Sequence, residues 1–264
     1  MSEPEVISSR RGAVLTLTLN RPDKLNALNE PLTELLLEGL REAAGDSTIR
    51  VVVLNANGRG FSSGQDLAAF MSLRSNAKPV SVAEHLRRGY NLVALALRNL
   101  EKPVIASMNG IAAGAGLTIA LCCDLRVAAD DAVLTLGFSK IGLIPDVAGS
   151  YLLPLLAGFG RGLELAWTSD RIDAAEAYRL GLVNRIVAAN ALAEETAALA
   201  QRLSEVSPVA LALTQRAFNR SMMPRFAEWL DEEAELQEEA ASGPDLLEGV
   251  QAFMQKRKPA FAAR

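Results

Sequence analysis

A chain of 264 residues with half its side chains apolar can bury a full hydrophobic core, which excludes a disordered tail and permits one large domain or two small ones. Its formal net charge of −4 argues against a nucleic-acid surface, because neutralising phosphates takes an excess of Lys and Arg on one face. The only cysteines, Cys122 and Cys123, are adjacent with no histidine nearby, so no metal site is expected and both read as buried reduced thiols of a cytoplasmic protein.

Residues 1–6 carry two glutamates and no apolar stretch, so no secretory signal is expected. Residues 13–19 alternate apolar side chains with threonines and meet Asn20-Arg21-Pro22-Asp23, predicting a strand that ends in a turn. A helix is predicted over 28–44 and a second short strand over 51–54, stopped by Asn55-Ala56-Asn57-Gly58. Next comes Phe61-Ser62-Ser63-Gly64-Gln65-Asp66, where small residues after an apolar run let backbone N–H groups approach a ligand atom with no side chain between. Residues 71–83 are polar and mixed, and predict a mobile loop beside that turn.

Residues 86–100 predict a helix with Leu86, Tyr90, Val93, Ala94, Leu97 and Leu100 on one face and Arg87, Arg88, Asn91 and Arg98 facing away. His85, the only histidine, falls at the edge of its solvated start. A third strand over 104–107 leads to a second glycine turn, Asn109-Gly110-Ile111-Ala112-Ala113-Gly114-Ala115-Gly116, which runs into a helix start at 117–121 whose positive end favours an anion. The uncharged span 103–123 is long enough to cross a bilayer, but its central turn signal predicts a buried strand followed by a buried helix. Strands over 125–128 and 182–187 and a helix over 174–180 follow.

After about residue 190 only helices are predicted, over 191–203, 209–218, 226–240 and 246–256, with the acidic run 228–239 as a solvated helix face. The alternation of strands and helices implies an α/β core on which this thin tail packs, or through which it meets another subunit.

Two glycine turns of this kind can form an oxyanion hole, in which each backbone donor contributes roughly 3 kcal/mol to stabilising a developing negative charge. Other site motifs are absent or incomplete. Gly58-Arg59-Gly60-Phe61-Ser62-Ser63 has serine where a dinucleotide fingerprint requires its third glycine, no glycine loop ends in a phosphate-binding lysine, and no nucleophile elbow occurs. A catalytic triad could be built only around His85. Asp146 follows Pro145 among Ile144, Val147 and Leu152, where desolvation would raise its pKa towards that of a useful base; equally, it could cap a helix starting at Val147.

The segments Phe61-Ser62-Ser63-Gly64-Gln65-Asp66-Leu67, 110–116 with Cys123-Asp124, and Ile141-Gly142-Leu143-Ile144-Pro145-Asp146 together resemble the crotonase (enoyl-CoA hydratase/isomerase) superfamily. Asn20-Arg21-Pro22-Asp23-Lys24-Leu25-Asn26-Ala27-Leu28 and Glu248-Gly249-Val250-Gln251-Ala252-Phe253-Met254-Gln255-Lys256-Arg257 extend the resemblance over nearly the whole chain, in order. It implies an α/β spiral of ββα turns over 1–195, holding a coenzyme A and acyl site, and a helical assembly region over 196–264 of a homotrimer or hexamer. The shared chemistry is stabilisation of an enolate derived from a coenzyme A thioester.

Carried over by resemblance, the oxyanion donors are the amides of Ser63 and Ala115, with Gly64, Gln65, Asp66 and Leu67 lining the same turn. Lys24, Leu25 and Ala27 match the coenzyme A-binding turn, and Phe253 with Lys256 match residues that reach a neighbour's nucleotide. Thr118 and Phe138 stand in the substrate site where the family's hydratases carry two water-activating glutamates, and neither can transfer a proton at neutral pH. Residues 138–146 with Leu152-Leu153-Pro154 look most like the isomerase branch that includes ring-1,2-epoxyphenylacetyl-CoA isomerase of phenylacetate catabolism. The resemblance therefore implies an acyl-CoA isomerase with Asp146 as proton-relay base, needing no metal or redox cofactor and no membrane or nucleic-acid partner. An enoyl-CoA hydratase, or a catalytically silent coenzyme A-binding or scaffold homologue, are the alternatives.

Overall fold

The computed structural model describes residues 3–74 and 81–261. Strands β1 (Val6–Arg11) and β2 (Val14–Leu19) form a hairpin, and α1 (Glu30–Gly45) leads to β3 (Val51–Ala56) and β4 (Gly60–Ser62). Helices α2 (Leu67–Arg74), α3 (Val82–Arg88) and α4 (Tyr90–Asn99) precede β5 (Val104–Met108), β6 (Ile111–Ala113) and α5 (Gly114–Cys122). Next come β7 (Leu125–Ala129), β8 (Val133–Thr135), α6 (Gly149–Ala157), α7 (Phe159–Thr168), β9 (Ile172–Asp173), α8 (Ala174–Arg179) and β10 (Arg185–Val187). Helices α9 (Leu192–Ser204), α10 (Pro208–Met222), α11 (Phe226–Ser242) and α12 (Pro244–Met254) close the chain.

Three successive passes of the chain each contribute one strand to each of two sheets. β3, β5 and β7 enter a sheet of order β1-β2-β3-β5-β7-β10, while β4, β6 and β8 enter one of order β4-β6-β8-β9. Every pair is parallel except β1 with β2 and β8 with β9. This is the α/β spiral with a helical C-terminus that the resemblance implies. Strand β5 is buried along its whole length and β3 over its first four residues, hence the apolar runs Val104 to Ala106 and Val51 to Leu54, whereas β2 buries Leu15, Leu17 and Leu19 and leaves its threonines half-buried.

The uncharged span resolves into β5 and α5, and α5 is buried from Ala115 to Cys122 because it runs through the core. Among the described residues no helix is long and apolar enough to cross a membrane. Cys122 and Cys123 are buried and unpaired, and burial pushes the Cys122 thiol up to about 12.

Several expectations are corrected. Strand β1 has no apolar alternation to announce it, since Val-Ile-Ser-Ser-Arg-Arg is an edge strand that is largely exposed. The single helix predicted over 86–100 breaks at Gly89 (φ −123°, ψ −86°) into α3 and α4, and Asn91, expected outward, is buried with its amide donating to Leu230 O at 3.0 Å. The loop predicted over 71–83 is helical at both ends, in α2 and α3; its centre, 75–80, lies outside the described residues. The division at 195/196 falls inside α9, which packs on β2, β3, β5 and β7. The acidic face of α11 is not wholly solvated, because Glu233 is 1% exposed and Gln237 is fully buried.

Candidate active site

Residues 20–28 and 62–66 are hydrogen-bonded into one platform. Leu25 and Asn26 both take left-handed backbone (φ 50° and 51°), and the buried Asn26 side chain stabilises the turn. Its Oδ1 accepts the Arg21 N–H at 2.8 Å, and its Nδ2 donates to the Asn57 and Gly60 carbonyls, each at 2.9 Å. On this base the Ser63 N–H donates to Leu25 O at 2.9 Å, and the Asp66 N–H donates to Leu28 O at 2.8 Å. Leu28 N–H donates to Gly64 O at 2.8 Å, and the Gly64 N–H to Ser62 Oγ at 3.2 Å.

The Ser63 amide is thus used inside the fold, which corrects the expectation that Ser63 supplies an oxyanion donor. Of residues 63–66, Gln65 is the one whose N–H finds no acceptor among the described residues. Gly64 has φ +87°, and a Cβ there would lie 2.8 Å from Ala113 O and 3.3 Å from Ala115 N, so glycine alone lets this turn abut the start of α5. Ala115 lies in the first turn of α5, where N–H groups have no intrahelical carbonyl and the helix end favours negative charge. The Gln65 and Ala115 amides therefore sit on adjoining turns.

Asp146 stands on a loop packed against α5. Val147 and Ala148 after it are left-handed (φ 54° and 63°), and α6 starts at Gly149 with no side-chain cap, so the capping role considered for Asp146 is overturned. Glu233 of α11 does that work: its carboxylate accepts the Ala148 N–H at 2.8 Å, the Ser150 N–H at 3.1 Å and the Ser150 hydroxyl, while Trp229 Nε1 donates to Ser150 Oγ at 2.9 Å. A Cβ on Gly149 would lie 2.6 Å from Thr118 Cγ2, so the Asp146 loop is packed directly on α5.

Asp146 is 4% exposed. Its Oδ2 accepts from Gln237 Nε2 at 2.8 Å, and its Oδ1 is buried with no partner among the described residues. Burial pushes the carboxyl up to about 7, with the Gln237 hydrogen bond opposing the rise. Burial pushes Glu233 up to about 8, an effect to which the neighbouring Asp146 charge adds. Tyr90, whose hydroxyl donates to Leu28 O at 3.1 Å, is also raised by burial and then by Asp146. Asp146 is therefore a buried carboxyl held near neutrality by desolvation, with one oxygen unpartnered among the described residues.

Thr118 is fully buried with its hydroxyl donating to Ala115 O at 3.2 Å, and Phe138 is buried in a short 3-10 turn. Neither offers a second proton-transfer group. Asp66 pairs with Arg21 at 3.1 Å and accepts the Ala69 N–H at 3.2 Å; burial raises its pKa, but these partners outweigh it and hold it below the ordinary carboxylate range. His85 is not a solvated helix edge. It lies between the Phe70 and Tyr90 rings, at 5.5 and 5.3 Å, with Nε2 3.1 Å from Gln65 Nε2, and burial lowers its pKa, so the neutral ring accepts from the Gln65 amide.

Lys24 is exposed, Leu25 half-buried and Ala27 buried on the turn that supports Ser63, and Leu67 opens α2. Phe253 and Lys256 are exposed at the far end of the chain, and no hydrogen bond or ion pair among the described residues joins them to this platform. Sequence reasoning missed Asn26, Glu233 and Gln237. The last two stand four residues apart on a helix, a spacing that puts both on one face, but their acidic neighbours masked the signal. Among the described residues no cluster of three or more His, Cys, Asp or Glu side chains is placed to hold a metal ion.

The sequence pattern described as enoyl-CoA hydratase/isomerase matches residues 9–264. The chain is 38% identical over 263 residues to the 1,2-epoxyphenylacetyl-CoA isomerase of Escherichia coli, covering 98% of both chains. It is 33% identical over 264 residues to the trans-2-decenoyl-[acyl-carrier-protein] isomerase of Streptococcus mutans, covering all of both. A solved enoyl-CoA hydratase from Mycobacterium avium subsp. paratuberculosis superposes with a TM-score of 0.88 at 32% identity, covering 98% of this chain and 99% of the other.

Proposed function

The chain belongs to the enoyl-CoA hydratase/isomerase family, and from that premise we propose that it is an acyl-CoA thioester isomerase that shifts a double bond by proton relay. The observation that carries this reading is the buried Oδ1 of Asp146, unpartnered among the described residues, on a loop packed against Thr118 of α5, while neither Thr118 nor Phe138 of the 3-10 turn is an acid–base group. The thioester oxygen accepts the N–H groups of Gln65 and Ala115. Asp146 removes a proton from carbon, the C–H electron pair moves into the enolate, and the two amides hold the resulting negative oxygen.

The same carboxyl then returns the proton to the far carbon of the allylic system, completing a 1,3-shift with no net gain or loss of atoms. A carboxyl pKa near 7 suits both halves of the relay, since the group is neither too weak a base nor too weak an acid at neutral pH. Addition of water would need one group to deprotonate the water and another to protonate carbon, which Asp146 alone does not supply. Coenzyme A enters as part of the substrate, on the turn of Lys24, Leu25 and Ala27, with Phe253 and Lys256 reaching the nucleotide of a neighbouring subunit in a homotrimer or hexamer.

Incubation with a panel of 2-enoyl and 3-enoyl-CoA thioesters, and with the ring epoxide for which the E. coli relative is named, tests the reading. Isomerisation leaves the mass unchanged in ordinary water and moves the double bond, and in heavy water it incorporates deuterium to the extent that the proton on Asp146 exchanges before its return. Gain of one water would overturn it in favour of a hydratase. Binding with neither isomerisation nor exchange on any thioester would favour a silent homologue.

A further inference from the structure

We propose that Gln237 is a positioning residue that gives the two oxygens of Asp146 different tasks, holding Oδ2 in place and leaving Oδ1 to take up and return the proton. The inference rests on the reading of Asp146 as the base. Gln237 is fully buried on α11, and its Oε1 accepts the Ile144 N–H at 2.9 Å while its Nε2 donates to Ile144 O at 2.9 Å and to Asp146 Oδ2 at 2.8 Å. The amide has one workable orientation. Turning it over would set Nε2 against the Ile144 N–H and Oε1 against two oxygens, so the backbone two residues before Asp146 determines which end faces the carboxylate.

One turn earlier on the same face, Glu233 binds the Ala148 and Ser150 amides, so α11 grips the chain on both sides of Asp146. The helix is itself anchored: Asn91 Nδ2 donates to Leu230 O at 3.0 Å, the Ala83 N–H donates to Glu238 at 3.0 Å, and Arg87 bridges Asp231 and Glu235. With Oδ2 occupied by a donor, the proton that Asp146 acquires goes to Oδ1, and the relay runs in and out through one atom. Gln237 stays uncharged at every working pH, so this division persists in both protonation states. Among the described residues the titratable groups facing Asp146 are Glu233 from α11 and Tyr90 from α4.

The test uses the full-length protein with Gln237→Leu, Gln237→Met and Asp146→Asn, measuring kcat and KM against pH and deuterium exchange into an enoyl-CoA. Loss of a hydrogen bond to the charged carboxylate should move the rising limb of kcat up by about one to two pH units in Gln237→Leu. Turnover at neutral pH should fall about tenfold to a hundredfold with KM nearly unchanged. Gln237→Met keeps the length of the side chain and has no donor at any pH, so its limb should move as far.

A purely structural role would lower the active fraction and leave the limb where it is. An unmoved limb in either variant, in protein that melts cooperatively, overturns the proposal; if Gln237→Leu fails to fold, Gln237→Met decides. Retained exchange in Asp146→Asn is a different result, because it removes the base reading itself.

Discussion

Asp146→Asn should stabilise the protein above neutral pH while abolishing proton transfer. The folded carboxyl is pushed from an ordinary value of 3.8 to about 7, so between these values the native state holds a proton that the unfolded chain has released. Stability contributed by this group therefore falls as pH rises through that window, and it is lowest above pH 7. The interval is a little over three pH units, and at 1.36 kcal/mol per unit the ionised carboxylate costs the fold about 4 kcal/mol by pH 8 and almost nothing below pH 4.

Asparagine keeps the size and keeps an oxygen for Gln237 Nε2, but it places an NH2 group where Oδ1 has no partner, a penalty of about 1–2 kcal/mol. The variant should thus gain about 2–3 kcal/mol at pH 8 and be close to parity at pH 5. For a chain of this size that is a melting-point rise of about 4–12 °C at the higher pH. Denaturant titration of both proteins at pH 5 and pH 8 measures it, and the titration of Glu233, present in both, cancels to first order. An Asn variant that is less stable than the parent at pH 8, or a difference that does not change with pH, would refute the claim that burial raises Asp146.

Replacing Gln65 by Pro deletes its N–H and should lower turnover by about two to three orders of magnitude, whereas Gln65→Ala keeps the donor and should retain most activity; steady-state kinetics on a preferred enoyl-CoA decide. Ala115→Pro should behave like Gln65→Pro, with Ala115→Gly as its control, and equal activity in all four variants would remove the proposed hole. Glu233→Ala leaves the Ala148 and Ser150 amides unpaired in the interior and should cost about 2–5 kcal/mol in a denaturant titration; an unchanged midpoint would show that the left-handed turn holds itself. Lys256→Glu should weaken coenzyme A binding at low salt with little change in turnover of bound substrate, and an unchanged binding constant by calorimetry would separate Lys256 from the nucleotide.

Much of the scaffold is readable along the chain because local chemistry and tertiary role agree there. Val51 to Leu54 and Val104 to Ala106 are apolar throughout because both faces of those strands are covered, and Gly64 is glycine because its φ of +87° and the nearby Ala113 carbonyl admit nothing larger. Strands β1, β4, β6, β8 and β9 escaped the reading. They are two to six residues long and either edge-exposed or too short to show a period.

The two glycine turns, Asp146 and the absence of acid–base groups at Thr118 and Phe138 were determined by the sequence alone, since each depends on which residue types are present. Which amide of the first turn is left for a ligand, and what holds Asp146, were decided only by the tertiary structure. A hydrogen bond from Ser63 to Leu25 or from Gln237 to Asp146 joins residues 38 and 91 positions apart, and a backbone N–H looks the same in every residue until its acceptor is known. Nor does the sequence announce the inward turn of Glu233 and Gln237, because burial of a polar side chain is set by the surface that packs over it rather than by the residue itself.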